Sequence, residues 1–195
     1  MNNVIKTARF VSGLGQHHTN DADPNNPNKK LTPYLDIDLA GIRALIDKPQ
    51  KVDKQSAQWF IPSTLKSRRF KDQENDGEYS MLWADFDKNP KPLKELNDLV
   101  SAWGVDYEIY TSKSATIDNQ KGRILIPLSK PLSGIDWIIC QKLLNDIFDA
   151  NGFTPDRASE RAAQLCYLPN AGDFYESYSK RNDVYFDVFG LPLLS

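Results

Sequence analysis

The sequence predicts an α+β domain on one mostly antiparallel sheet, and three observations carry that expectation. Residues 79–86 (YSMLWADF) are apolar on both alternations, as a central strand covered on both faces requires. Residues 93–103 and 134–151 carry apolar side chains at helical spacing. Residues 106–112 (DYEIYTS) and 123–128 (RILIPL) read as two more strands, so strands and helices alternate in mixed order.

Each element has its own grounds. Residues 12–33 are rich in Gly, Asn, Asp and Pro, and 20–30 (NDADPNNPNKK) read as an exposed loop, because such residues favour turns. Residues 38–46 read as a short helix capped by Asp38 and stopped by Lys48-Pro49. Residues 58–62 (QWFIP) read as an aromatic strand or turn. A basic cluster of Lys66, Arg68, Arg69 and Lys71 precedes an acidic, Gly-containing loop over 72–78. Residues 88–92 form a turn. The next helix is apolar at 93, 96, 99, 100 and 103, and Gly104 ends it. A polar loop spans 116–122, and Pro127 marks the end or edge of the strand it sits in. The helix over 134–151 has Ile135, Ile138, Ile139, Leu143, Leu144, Ile147 and Phe148 as apolar positions and closes at Gly152. An apolar segment over 162–168 and a last strand over 184–189 (VYFDVF) complete the chain. Its 195 residues suffice for one domain, with residues 1–57 as an N-terminal subregion.

Composition narrows the function classes. A net charge of -2 argues against a protein that coats nucleic acid through bulk positive charge, though not against a local basic groove beside an acidic site. No apolar run approaches the roughly 18 residues that span a bilayer, and residues 1–10 lack a signal-type apolar block. The expectation is a cytosolic protein. Cys140 and Cys166 form no CxxC pair, so neither zinc nor a disulfide is implied.

The residues that suggest chemistry are Asp85 and Asp87. Side chains alternate along a strand, so the two carboxylates share a face, about 7 Å apart. They repel at neutral pH, and burial worsens the repulsion. A bound Mg²⁺ or Mn²⁺ offsets it, since hard cations prefer oxygen ligands. Phosphoryl-transfer enzymes use such a pair to hold two metals. The bland alternative is an Asp pair that ends a strand and caps the turn after it. Asp36-Ile37-Asp38 is also DxD, and capping of the following helix explains that one.

Three further groups bear on the same chemistry. Ser112, Lys113, Ser114 and Arg123 flank the 116–122 loop and suit contact with a triphosphate, or simply make a solvated hairpin end. Asp156 is a third acid from a remote part of the chain, or a helix cap, with Arg157 and Arg161 nearby for phosphates. Lys66, Arg68 and Arg69 suit a template backbone, or a solvated surface. His17-His18, with Tyr175 and Tyr178 as nucleophiles, suggests the rolling-circle nuclease arrangement, but no apolar strand precedes the histidines as that motif requires.

Taken in order, WFIPS (59–63), the basic run to Arg69, MLWADFD (81–87), YEIYTSKSAT (107–116), GRILIPLSKPL (122–132), TPDRASERAAQLCYLP (154–169) and VFGLPL (188–193) resemble the archaeo-eukaryotic primase superfamily. The likeness is to the primase-polymerase domains of phage and plasmid replication proteins and covers about 58–192. It implies an RRM-like palm carrying the acids, packed with an N-terminal α/β unit. It implies metal binding by Asp85 and Asp87, Asp156 as the matching third acid, and Ser112 to Ser114 with Arg123 facing an NTP or dNTP. The implied partners are a single-stranded DNA template and a helicase domain or subunit, with no membrane. Where the family's middle motif ends in a histidine, this chain has Ser112-Lys113-Ser114, and Lys113 is the candidate to take over the phosphate contact. The chain carries no phosphate loop of the helicase kind, so the expectation is a stand-alone domain or a fragment of a longer protein. Two other readings stay open: an initiation module that binds origin DNA without catalysis, and a metal-dependent nuclease.

Overall fold

The structure is a computed structural model and describes residues 4–15 and 33–188. His17, His18, the loop over 20–30 and the positions from 189 onward lie outside the described residues.

In chain order the elements are α1 (Val4–Thr7), β1 (Phe10–Leu14), β2 (Leu35–Ile37), α2 (Leu39–Asp47), β3 (Gln58–Phe60), α3 (Phe70–Asp76), β4 (Glu78–Phe86), α4 (Leu93–Ser101), β5 (Tyr107–Thr111), β6 (Gly122–Ser133), α5 (Gly134–Ala150), a 3-10 turn (Arg157–Glu160), β7 (Cys166–Tyr167) and β8 (Ser177–Lys180). They make an α+β chain with two four-stranded sheets, β2-β1-β3-β7 and β4-β6-β5-β8. Every pairing of these strands is antiparallel. The expectation of one mostly antiparallel sheet is thus corrected to two.

Local chemistry explains the elements that pattern reading located. Asp38 caps α2, its side chain accepting from the Gly41 amide at 2.8 Å. Ser133 caps α5 in the same way through the Asp136 amide. Helix α4 buries Leu93, Leu96 and Val100, and Gly104 follows it at φ 76°, a left-handed value that favours glycine.

Strand β4 differs from expectation in an instructive way. It is buried on both faces, as its composition demands, yet it lies at the edge of its sheet. Its outward-pointing backbone groups are met by the 62–64 segment at its start, through Thr64 N to Glu78 O and Ser80 N to Pro62 O, and farther along by side chains and one amide of other elements. Gln141 of α5 accepts from the Trp83 amide at 3.1 Å and donates to the Trp83 carbonyl at 2.5 Å. The Trp137 indole donates to the Met81 carbonyl at 2.8 Å. The Asp156 amide donates to the Asp85 carbonyl at 2.7 Å. A covered strand edge leaves few groups orphaned, and this is how β4 is covered.

Strand β6 holds the central place expected of β4, with Pro127 inside it. Pairing with β5 reaches only Leu125, so two residues on, the missing proline N–H leaves no ladder bond unmade. The Pro127 carbonyl accepts from the Phe186 amide.

Other expectations are also corrected. The 72–78 loop is mostly helix, as α3, whose buried Gln73 donates to the Leu65 and Ser67 carbonyls. Strands β1, β2 and β8 carry no strong apolar alternation, so the sequence does not signal them. Within the last expected strand the described residues make a single bridge, Leu128 to Phe186. On α5, Leu144 and Phe148 are buried as expected, together with Trp137, Gln141 and Asn145, whereas Ile135, Ile139, Leu143 and Ile147 are exposed.

Candidate functional site

The register of β4 against β6 sets Asp85 directly opposite Arg123. The Arg123 guanidinium donates twice to Asp85 Oδ2, from Nε at 3.1 Å and from Nη2 at 2.9 Å. The other oxygen, Asp85 Oδ1, is buried and has no hydrogen-bond partner. Burial pushes the Asp85 carboxyl above its ordinary value. Arg123 opposes that shift, and the negative charges of Asp87 and Asp156 add to it. The three acids expected from sequence are therefore electrostatic neighbours.

Asp87 sits just beyond β4, where Asn89 at φ 47° helps turn the chain. It opens on a polar depression of about 560 Å³, lined also by Lys88, Asp118 and Lys121. Asp156 does cap a helical turn, as its bland reading holds: its side chain accepts from the Ala158 amide at 3.0 Å. The carboxyl remains exposed, and its own amide ties it to Asp85. Among the described residues no group of three acids, histidines or cysteines stands in metal-binding array. Arg123 takes one Asp85 oxygen and the cap engages one Asp156 oxygen, so closing on a cation calls for the second oxygen of each.

The other sequence candidates scatter. Ser112 is buried, with its Oγ 3.4 Å from Ser114 Oγ. Lys113 donates to the Val52 carbonyl at 2.6 Å and lies 3.5 Å from Asp53, so its ammonium is held by that loop. Arg157 pairs with Asp146, Asp149 and Glu160, while Arg161 is exposed. Lys66 pairs with Asp36. Arg68 lies over the Trp59 ring at 5.3 Å, and Arg69 is exposed at the start of α3. The basic run thus splits: Lys66 and Arg68 reach the N-terminal sheet at β2 and β3, and Arg69 is exposed.

The hydroxyls of Tyr175 and Tyr178 are both engaged. Each hydroxyl donates to an acceptor, the Ile46 carbonyl and Glu176 respectively, and each phenol is pushed up to about 12. Burial does this at Tyr175, and the hydrogen bond to Glu176 leads at Tyr178.

On the same face as Asp85 and Arg123 stands Tyr110, which carries no sequence signal. Tyr110 pairs with Arg123 in register, and its hydroxyl donates to the Tyr167 carbonyl at 2.8 Å and lies 3.6 Å from Cys166 Sγ. The N-terminal sheet, through β7, therefore closes over the acid-bearing face. Within the apolar run that holds Cys166 and Tyr167, nothing in residue spacing distinguishes them; only pairing between remote strands does.

No family model matches the chain, and no curated protein or solved structure matches it either.

Proposed function

We propose that this chain is the catalytic domain of a primase-polymerase that joins nucleotides on a single-stranded DNA template in phage or plasmid replication. The observation that carries the reading is Asp85 Oδ1, a buried carboxylate oxygen with no donor, beside two other acids. An orphaned oxygen of this kind is costly unless a ligand completes it. The donor set is all oxygen, the chemistry that Mg²⁺ or Mn²⁺ prefers, so the residues fit a hard divalent cation held by Asp85 and Asp87 and completed by Asp156. Such a cation neutralises triphosphate charge and activates the attacking oxygen.

The chain's own residues divide the remaining work. Arg123 orients Asp85 and favours its ionised form. Its second task is to meet the incoming triphosphate. Asp156 is the exposed acid of the three and takes the proton from the attacking 3′-hydroxyl. Reactions of this class depend on positioning and charge more than on a covalent intermediate. The resemblance to the archaeo-eukaryotic primase superfamily supports the reading: an acid-bearing antiparallel sheet packed against a second, N-terminal sheet is the arrangement a palm and its N-terminal unit would have. The working compartment on this reading is the cytosol of a bacterial or archaeal cell, with a helicase as partner.

One observation favours a second reading. Lys113 stands where the family's histidine would be and is bound to the Val52 carbonyl, which suits an initiation module that binds DNA without synthesis.

The deciding experiment is nucleotide incorporation on a single-stranded template with Mn²⁺ or Mg²⁺. Wild type is expected to extend, and Asp85→Ala/Asp87→Ala to be inactive with Mn²⁺ binding lost. A folded wild type that binds DNA and Mn²⁺ but yields no product sinks the synthetic reading. Shortening of labelled single-stranded DNA without nucleotides identifies a nuclease instead.

A further inference from the structure

On β7, tied to the acid-bearing sheet through Tyr110, lies an aromatic residue that the proposed reaction leaves unused. Tyr167 on β7 is only half-buried, although its neighbour Cys166 is fully buried. Its place is fixed from both sides. Its carbonyl accepts from Tyr110, which stands opposite the Arg123 that holds Asp85. In its own sheet it pairs with Trp59. Two cations border this aromatic pair: Lys54 Nζ is 5.9 Å from the Tyr167 ring centroid, and the Arg68 guanidinium is 5.3 Å from that of Trp59. Burial raises the Tyr167 phenol, and the positive charges of Arg68 and Arg123 both act against that shift.

A partly open aromatic face between cations is suited to one class of ligand. Nucleobases stack on such rings without regard to sequence, and the adjacent phosphate is neutralised by the flanking charges. Lys54 at nearly 6 Å is at the outer limit of a cation–π contact, so little is lost when a base displaces it. Trp59 is fully buried and serves only to back the platform.

We propose that Tyr167, flanked by Lys54 and Arg68, is a stacking platform for a nucleobase and its neighbouring phosphate beside the acid-bearing sheet. This rests on the nucleotidyl-transfer reading. The base has two sources, the single-stranded template and the incoming nucleotide, and both present the same chemistry to the ring.

The test measures equilibrium binding to the full chain, with fluorescent oligo(dT) in one arm and a Mg²⁺–nucleoside triphosphate in the other. Tyr167→Leu keeps apolar bulk and removes the π face, while Tyr167→Phe keeps the face. The expected result is binding at least about five-fold weaker for Tyr167→Leu and near wild type for Tyr167→Phe. Lys54→Ala should flatten the salt dependence of oligo(dT) binding by roughly 0.7 in the log–log slope, one phosphate contact on a single strand. Loss confined to the oligo(dT) arm assigns the platform to the template, and loss confined to the triphosphate arm assigns it to the incoming nucleotide. If wild type binds and Tyr167→Leu, folded by its thermal melt, binds equally well in both arms, the platform is refuted and the proposed function survives. If wild type binds neither ligand, the proposed function falls and the platform with it.

Discussion

Two sets of buried charges lie on one face of the β4-β6-β5-β8 sheet, and the fold treats them in opposite ways. At one end, Glu108 and Asp106 are fully buried, and every carboxylate oxygen has a donor. Glu108 Oε1 accepts from Arg43 at 2.7 Å and Arg181 at 3.0 Å, and its Oε2 accepts twice from Arg181. Asp106 takes Arg43 and the amides of Asn182, Asp183 and Val184. Arg181 also reaches Asp47, whose carboxyl it holds below the usual range. At the other end, Asp85 has one arginine and one bare oxygen. The first set closes on itself and ties α2 to β5 and the segment after β8. The second is left open. A carboxylate with nothing more to bind is read as structural, and a buried one with an unspent oxygen as a site.

The largest expected effect tests the closed set. Glu108→Ala strips two guanidiniums of their buried partner and should cost about 3–5 kcal/mol in urea unfolding. A loss below about 1 kcal/mol would erase the contrast between the two ends. Next comes the open set. Asp85→Asn with Arg123→Gln removes both charges together, so stability should change by no more than about 1 kcal/mol, or rise. Mn²⁺ binding should vanish in the same variant. Destabilisation as large as at Glu108 would mean that the Asp85–Arg123 pair is a structural tie of the same kind.

The smallest effect reports how dry the acid end is. Burial pushes the Cys166 thiol from an ordinary value of 9.0 up to about 12, with the nearby Arg123 charge opposing. The folded state holds the proton more tightly than the unfolded one. The thiol's contribution to stability is therefore complete below pH 9 and lost as pH rises toward about 12. In the native chain at pH 8, Cys166 should resist alkylation, while the half-buried Cys140 reacts; urea should expose both. Rapid native labelling of Cys166 at pH 8 would show water reaching the buried contact of Cys166 with Tyr110.

What the sequence makes legible follows from local physics. Cap chemistry locates α2, and helical spacing locates α4 and α5, because both act within a few residues. The apolar run of β4 announces burial on both faces but not its hydrogen-bonding neighbours: burial is a property of side chains, and edge position depends on backbone partners elsewhere in the chain. For the same reason Pro127 reads as the mark of an end or edge although it lies inside the central strand. Asp85, Asp87 and Asp156 are legible as candidates, and they do influence one another. That Lys113 and Arg157 already have partners is not legible, since Val52, Asp146 and Asp149 reach them only through the tertiary fold. Tyr167 has no pattern to announce it.

The side-chain seal on β4 has a consequence for how the chain is made. Synthesis delivers β4 well before α5, so the strand leaves the ribosome with neither β6 on one side nor Gln141 and Trp137 on the other. During that interval the stretch of β4 from Met81 onward has both ladders open, the condition in which nascent chains pair with one another. The same glutamine that covers the finished edge thus also ends the period in which newly made chains are most prone to aggregate.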